Sequence, residues 1–113
     1  MATSNSVKIH ASCFAGTGSY NYDSQPINGT AGTGPDVASL SNGANTITCP
    51  TGAVGFVIIP PTSNSVTITL KGVSGDTGIS LSPSQPSCIT VGTLPANFVL
   101  TTNGSVNVTI VWI

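Results

Sequence analysis

The triplet Asp76-Thr77-Gly78 is the pattern in this sequence that most directly suggests chemistry. Asp-Thr-Gly is the catalytic triplet of aspartic proteases, in which two facing carboxylates share one proton, and a homodimer could supply such a pair. However, Ser74 and Gly75 stand where those enzymes have an apolar strand, and no second apolar-apolar-Gly element is evident near the carboxyl end. The favoured alternative is a turn in which the Asp76 carboxylate accepts backbone N–H bonds.

Other side chains that could act in catalysis or bind a metal are few and widely separated. His10 is the single histidine, and neither Ser6 nor Ser12 lies in a G-x-S-x-G nucleophile context. The three cysteines have no C-x-x-C spacing, and a zinc site would need a fourth ligand. They are Cys13, Cys49 and Cys88. We therefore predict free buried thiols, no metal, no cofactor and no enzymatic activity.

Isolated aromatic residues in a Gly- and Ser-rich stretch are the best candidates for a binding role. Tyr20 and Tyr22 lie two positions apart, and Phe14 precedes them. Tyrosine is favoured at protein interfaces, so these three residues are candidate contacts to a partner protein. Two alternatives remain open for the tyrosines: a platform on which a sugar stacks, or simple packing on the domain.

The scarcity of charge limits the classes of partner. Charged residues make up 4% of the 113 residues, against roughly 25% in an ordinary soluble domain. Two lysines cannot neutralise the phosphates that nucleic-acid binding requires, nor form a polybasic membrane patch. A net charge of −1 favours self-association. We expect neighbours in an oligomer or lattice to cover the surface.

The pattern along the chain predicts an all-β fold. The cleanest period-two runs are Ser65–Lys71 and Ser105–Ile113, and the latter places Val106, Val108, Ile110 and Trp112 on one face. The continuous apolar run at 54–59 is typical of a strand covered on both faces. We predict a β-sandwich of about seven or eight short antiparallel strands, with a small β-barrel as the alternative. The Asn103-Gly104 pair indicates a hairpin.

One segment departs from this strand pattern. Residues 12–45 are rich in Gly, Ser, Thr and Asn, with apolar residues only at isolated points. We predict a single β domain over residues 1–113 in which 12–45 is loop-rich or arm-like and grips a neighbour. The alternative is a loop-rich part of the same sandwich that contains one or two irregular strands.

No targeting signal is evident. The first six residues are polar and lack the charged and apolar regions of a signal peptide. The strongest apolar run, 53–59, is too short to span a bilayer and ends in Pro60-Pro61. We therefore expect synthesis in a cytosol and no membrane partner.

The second half of the chain resembles small virion proteins of tailed bacteriophages. The similarity lies in the segment Thr69–Ile79, which contains Lys-Gly-x-x-Gly-Asp-Thr-Gly-Ile, in the residues that follow it, and in Phe98-Val99-Leu100-Thr101. Those following residues are Leu81, Pro83 and Pro86. The resemblance implies a capsid decoration, or cement, protein. Such a protein binds the major capsid protein on the outside of the virion, assembles in the host cytoplasm, and bridges capsid subunits as an oligomer, often a trimer.

The resemblance brings no catalytic residues with it. Alternatives of other kinds remain open, namely a tail or baseplate component, a carbohydrate-binding adhesin module that uses Tyr20 or Tyr22, and the homodimeric aspartic protease. Head and tail locations would differ in electron microscopy labelling. Glycan binding that is lost on Tyr20→Ala or Tyr22→Ala would favour the adhesin module, and peptide cleavage that is lost on Asp76→Asn would favour the protease.

Overall fold

The computed structural model describes residues 5–8, 10–16, 18–25, 27–29 and 35–113. Twelve strands lie in these ranges. The first four are β1 (Asn5–Val7), β2 (His10–Ala15), β3 (Gly18–Asp23) and β4 (Ile27–Gly29). The next four are β5 (Asp36–Leu40), β6 (Gly43–Thr48), β7 (Gly55–Ile59) and β8 (Ile68–Lys71). The last four are β9 (Ile79–Leu81), β10 (Ser87–Thr90), β11 (Asn97–Thr102) and β12 (Val106–Trp112).

Eight of these strands form two four-stranded sheets. The first sheet has the order β10-β7-β12-β5 and the second has the order β6-β11-β8-β9. All pairings between the described strands are antiparallel. The sheets pack together through a shared core and do not close into a barrel. The predicted all-β sandwich is confirmed.

The core follows from the alternation of side chains along the strands. In β12, Val106, Val108, Ile110 and Trp112 are all buried, as the period-two pattern predicts. They meet residues of the second sheet such as Leu100, which is fully buried. Because successive side chains of a strand point to opposite faces, the core-facing set of each sheet is the apolar half of the pattern.

Three aromatic rings connect the two sheets. Phe56 of β7 stacks on Phe98 of β11 with ring centroids 4.7 Å apart and planes 16° apart. Trp112 packs edge-on against Phe56, with centroids 5.8 Å apart, and lies 6.1 Å from Phe98. Stacked and edge-to-face arrangements both suit the charge distribution of aromatic rings. The cluster therefore fixes how one sheet lies over the other.

The hairpin predicted at Asn103-Gly104 is wrong. The strands on either side, β11 and β12, belong to different sheets. Side chains direct this crossing: Asn103 Oδ1 accepts the Thr67 N–H at 2.9 Å, and Thr102 Oγ1 donates to Ser41 O at 2.8 Å. These bonds tie the connection between β11 and β12 to Thr67 and Ser41. The Asn-Gly pair therefore lies at a corner of the sandwich, where the chain passes from one sheet to the other.

One face of β7 is more exposed than the sequence pattern predicts. Phe56 and Ile58 are buried, but Val57 is half-buried and Ile59 is 39% exposed. The outer side of the first sheet is therefore open in the single chain, and the expectation of a strand covered on both faces is wrong for this side.

Residues 12–45 contain regular strands. Most of β2, together with β3, β4, β5 and the start of β6, lies in this segment. The β2–β3 and β1–β4 pairs are two-stranded ladders outside both large sheets, whereas β5 is an edge of the first sheet. β1 and β2 belong to different ladders. Gripping of a neighbour stays a prediction.

Asn45 ties the β5–β6 turn to the second sheet. Its Oδ1 accepts the Ser41 N–H at 3.0 Å, and its Nδ2 lies 2.9 Å from Ser41 O and 3.0 Å from Leu100 O. Asn45→Ala would remove these bonds and leave the Ser41 N–H without its side-chain acceptor, while Ser41 O would keep the bond from Thr102 Oγ1. We therefore expect a loss of about 1–3 kcal/mol in the free energy of unfolding, measured by urea denaturation. Asn42→Ala, an exposed change in the same turn, should change it by less than about 0.5 kcal/mol. Equal effects would contradict this role for Asn45.

Candidate contact sites

The three predicted contact residues lie on the β2–β3 hairpin. Phe14 belongs to β2, and Tyr20 and Tyr22 belong to β3. The pairing sets Phe14 opposite Ser19 and Tyr20 opposite Cys13. The side chains of Phe14 and Tyr20 lie outside the described part of the structure. The side chain of Tyr22 is described and is 52% exposed, so it is accessible to a partner.

An exposed hydrogen-bonding contact lies beside Tyr22. His10 Nδ1 is 2.5 Å from Asp23 Oδ1, and the two side chains are 64% and 69% exposed. His10 and Asp23 face each other at the open end of the hairpin. Solvent screens such a pair, so its contribution to stability is small. The contact lies at the strand ends that carry Tyr22.

The outer face of the first sheet is a charge-free apolar surface. The register places Ile59 beside Thr109 and Thr109 beside Val37, while Cys88, Val57 and Val111 form the next row. Val37 is 69% exposed and Ile59 is 39% exposed. We call these six residues the outer apolar face. An apolar patch at this position is the type of surface through which proteins associate.

A second apolar surface lies on one side of the sandwich. Two residues join β5 to β6, so these edge strands lie on the same side, and β9 and β10 are the edges of the opposite side. Between β9 and β10 a cavity of about 350 Å³ reaches into the core. Its main apolar lining residues are Phe56, Leu70, Ile79, Ile89, Leu94 and Phe98. The stacked phenylalanines, although almost fully buried, form part of the cavity wall.

The turn after β8 forms the rim of this cavity. Asp76 Oδ2 accepts the Val73 N–H at 3.0 Å, and the Asp76 N–H donates to Val73 O at 3.1 Å. Lys71 Nζ lies 3.5 Å from Ser74 O. Gly78 has a φ of +77° and returns the chain to β9. The carboxylate therefore stabilises the turn, as the favoured interpretation predicts.

The side chains of Cys49 and Cys88 are described, and both are free thiols, whereas the side chain of Cys13 lies outside the described part of the structure. Cys49 is half-buried, but Cys88 is exposed, since it lies on the outer apolar face. The prediction of buried thiols is therefore wrong for Cys88. Partial burial raises the pKa of both thiols above the ordinary value. They are thus more weakly nucleophilic near neutral pH than an unperturbed thiol.

Sequence patterns pointed to the tyrosines but not to these two surfaces. The signal for the outer apolar face was present, because β7 and β12 carry apolar residues on both sides of the strand. For β7, that pattern was interpreted as a strand covered on both faces. The cavity forms because β9 and β10, edge strands of different sheets, lie on the same side of the sandwich. The residue pattern along a single strand does not predict which edge strands become neighbours.

Other kinds of site do not stand out among the described residues. Within the described ranges, no three His, Cys, Asp or Glu side chains come together in a way that could hold a metal ion. The same ranges contain no helix long and apolar enough to cross a membrane. Comparisons of the chain with protein-family models, curated proteins and solved structures found no significant match.

Proposed function

We propose that this chain is a non-enzymatic structural protein of a virion that decorates and stabilises a phage capsid. Its partner is the major capsid protein, whose neighbouring subunits it bridges on the capsid exterior as a homo-oligomer, with a trimer favoured. The observation that carries the proposal is the outer apolar face, which a single chain leaves partly exposed to water. Val37, Ile59 and Cys88 are exposed, and the other three residues of this face are half-buried. The resemblance of the Thr69–Ile79 segment to phage virion proteins supports the same class of function.

The physical basis of attachment is burial without ion pairs. Each square ångström of apolar surface removed from water contributes about 25 cal/mol, and the six residues of the outer apolar face carry no charge that would have to be desolvated. Such binding should depend little on salt. Many copies bound around one shell gain avidity, and preferential binding to the assembled shell stabilises it by mass action.

The test introduces a charge into the outer apolar face. Val37→Asp should abolish binding to shells of the encoding phage, because a carboxylate would be buried without a partner. Val73→Asp is the matched control: Val73 is 62% exposed, close to the 69% of Val37, but lies in the turn after β8. Co-sedimentation of protein with shells measures binding, and immunogold electron microscopy distinguishes head from tail.

Shell stability gives an independent readout. Shells carrying the wild-type protein should withstand a higher temperature than shells without it, and the Val37→Asp protein should not restore this resistance. Shells that resist heat equally well without the protein would contradict the proposal. Equal binding by Val37→Asp and Val73→Asp would show that the outer apolar face is not the attachment surface.

A further inference from the structure

We propose that the cavity between β9 and β10 receives the Tyr22 side chain of a second copy of this chain. The inference deepens the homo-oligomer of the proposed function by naming its contact. Tyr22 is a projecting aromatic group and the cavity is an open apolar recess, and one chain carries both. The binding site is complete only when a second copy supplies its tyrosine.

Size and chemistry both match this occupant. The cavity volume of about 350 Å³ corresponds to about a dozen heavy atoms at the roughly 30 Å³ that a liquid water molecule occupies, which is enough for a phenol ring. Phe56 and Phe98 line it and offer a stacked pair of rings. Aromatic rings pack well against such a pair, and the tyrosine hydroxyl can stay at the wet rim.

One pair of opposite charges is available at the same contact. Asp23 follows Tyr22, is 69% exposed and contacts His10 Nδ1, while Lys71 borders the cavity. The Lys71 ammonium lies 3.5 Å from Ser74 O. The Asp76 carboxylate also borders the cavity and accepts the Val73 N–H. Because Lys71 forms no ion pair within the described residues, an incoming Asp23 can pair with it.

Free backbone groups lie beside the cavity. The Val91 N–H donates to Val54 O, so residues 89 and 87 also exchange hydrogen bonds with β7, given the register of the two strands. Antiparallel pairing alternates, and the N–H and C=O groups of Cys88 and Thr90 therefore point away from the sheet. Among the described strands, β3 pairs with β2 alone, so its other side can add to this edge.

Contact between two different surfaces of the same chain is heterologous. Such contacts close into a ring when the rotation between copies permits it, and otherwise extend into a filament. A trimeric ring is the closed form that agrees with the proposed oligomer.

Sedimentation velocity over a range of concentrations tests the contact on the isolated protein. Wild type should associate, and Tyr22→Ser should weaken association at least about thirtyfold, as loss of an aromatic hot spot does. Ile79→Glu places a charge at the mouth of the cavity and should have the same effect. Ile79 is 66% exposed, so the folded chain tolerates this change. Tyr22→Phe should associate like wild type, and so should Val37→Glu, because Val37 is 69% exposed on β5, at the opposite side of the sandwich from the cavity.

A mixture of the two defective variants gives the decisive result. Tyr22→Ser retains the cavity and Ile79→Glu retains the tyrosine, so an equimolar mixture should form a one-to-one dimer, whereas each variant alone stays monomeric. A monomeric wild type, association that survives Tyr22→Ser, or a mixture without dimer would each overturn the proposal. Far-ultraviolet circular dichroism confirms folding of every variant. The assay contains no capsid, so its failure leaves binding through the outer apolar face intact.

Discussion

Gly78→Ala is expected to lower the free energy of unfolding by about 3 kcal/mol or more. Gly78 has a φ of +77°, which residues with a Cβ adopt only at a cost. An added Cβ would also lie 2.6 Å from Leu70 O and 2.6 Å from Lys71 Cγ. The Lys71 side chain can move, but the β8 backbone can move only by disturbing its pairing with β9. Urea denaturation measures the change.

Gly75→Ala is the matched control in the same turn. No atom lies within 4 Å of a Cβ added at Gly75, and its φ lies outside the left-handed region. The change in the free energy of unfolding should therefore stay within about 0.5 kcal/mol. Similar losses for the two alanine variants would show that the backbone at Gly78 is not the cause.

Phe98→Ala is expected to cost about 3–5 kcal/mol of folding free energy, the range for truncation of a buried aromatic residue. Phe98 is 4% exposed and contacts both Phe56 and Trp112. Its loss would also enlarge the cavity between β9 and β10, since Phe98 is one of the lining residues. Differential scanning calorimetry should show a lower Tm together with a lower unfolding enthalpy.

Two further variants test whether the stability loss in Phe98→Ala comes from the burial of Phe98 or from its position on the cavity wall. Ile79→Ala removes apolar atoms from the same cavity, but Ile79 is 66% exposed, so its loss should be below about 1 kcal/mol. Phe98→Leu keeps most of the buried volume, so its loss of folding free energy should lie between those of Phe98→Ala and Ile79→Ala. A Phe98→Ala loss as small as that of Ile79→Ala would contradict the role of the aromatic cluster in joining the sheets.

The sandwich could be predicted because strand periodicity records which side chains face the core. In β12, the alternating residues Val106, Val108, Ile110 and Trp112 are the ones that are buried. The pairing of β8 with β9 across the turn at 72–78 also follows from local signals, with Gly and Asp in the turn. Both features depend on neighbours in sequence.

Features that depend on distant contacts could not be predicted. The Asn103-Gly104 pair is a local hairpin signal, but its side-chain bonds to Thr67 and Ser41 carry the chain to the other sheet. β5 was missed because Val37 and Leu40 are isolated apolar residues in a Gly- and Ser-rich stretch. Its place at the edge of the first sheet comes from pairing with β12, which lies far along the chain.

The candidate sites also divide into those that local sequence could predict and those that depend on distant contacts. Tyr22 could be singled out from its type and surroundings, and the structure leaves it exposed. The outer apolar face combines residues of β5, β7, β10 and β12, so it exists only after the strands have been ordered. Sequence patterns indicate which residues are apolar, but not which of them end up together and uncovered.

The central positions of β11 and β12 determine when the domain can fold during translation. β12 lies between β7 and β5, and β11 lies between β6 and β8. Neither sheet can form until residues 97–112 have left the ribosome. Before that point the apolar strands β5 to β10 lack their central partners and are exposed to aggregation. Pairing of such distant segments is slow, and the scarcity of charge leaves little to keep nascent chains apart on a polysome.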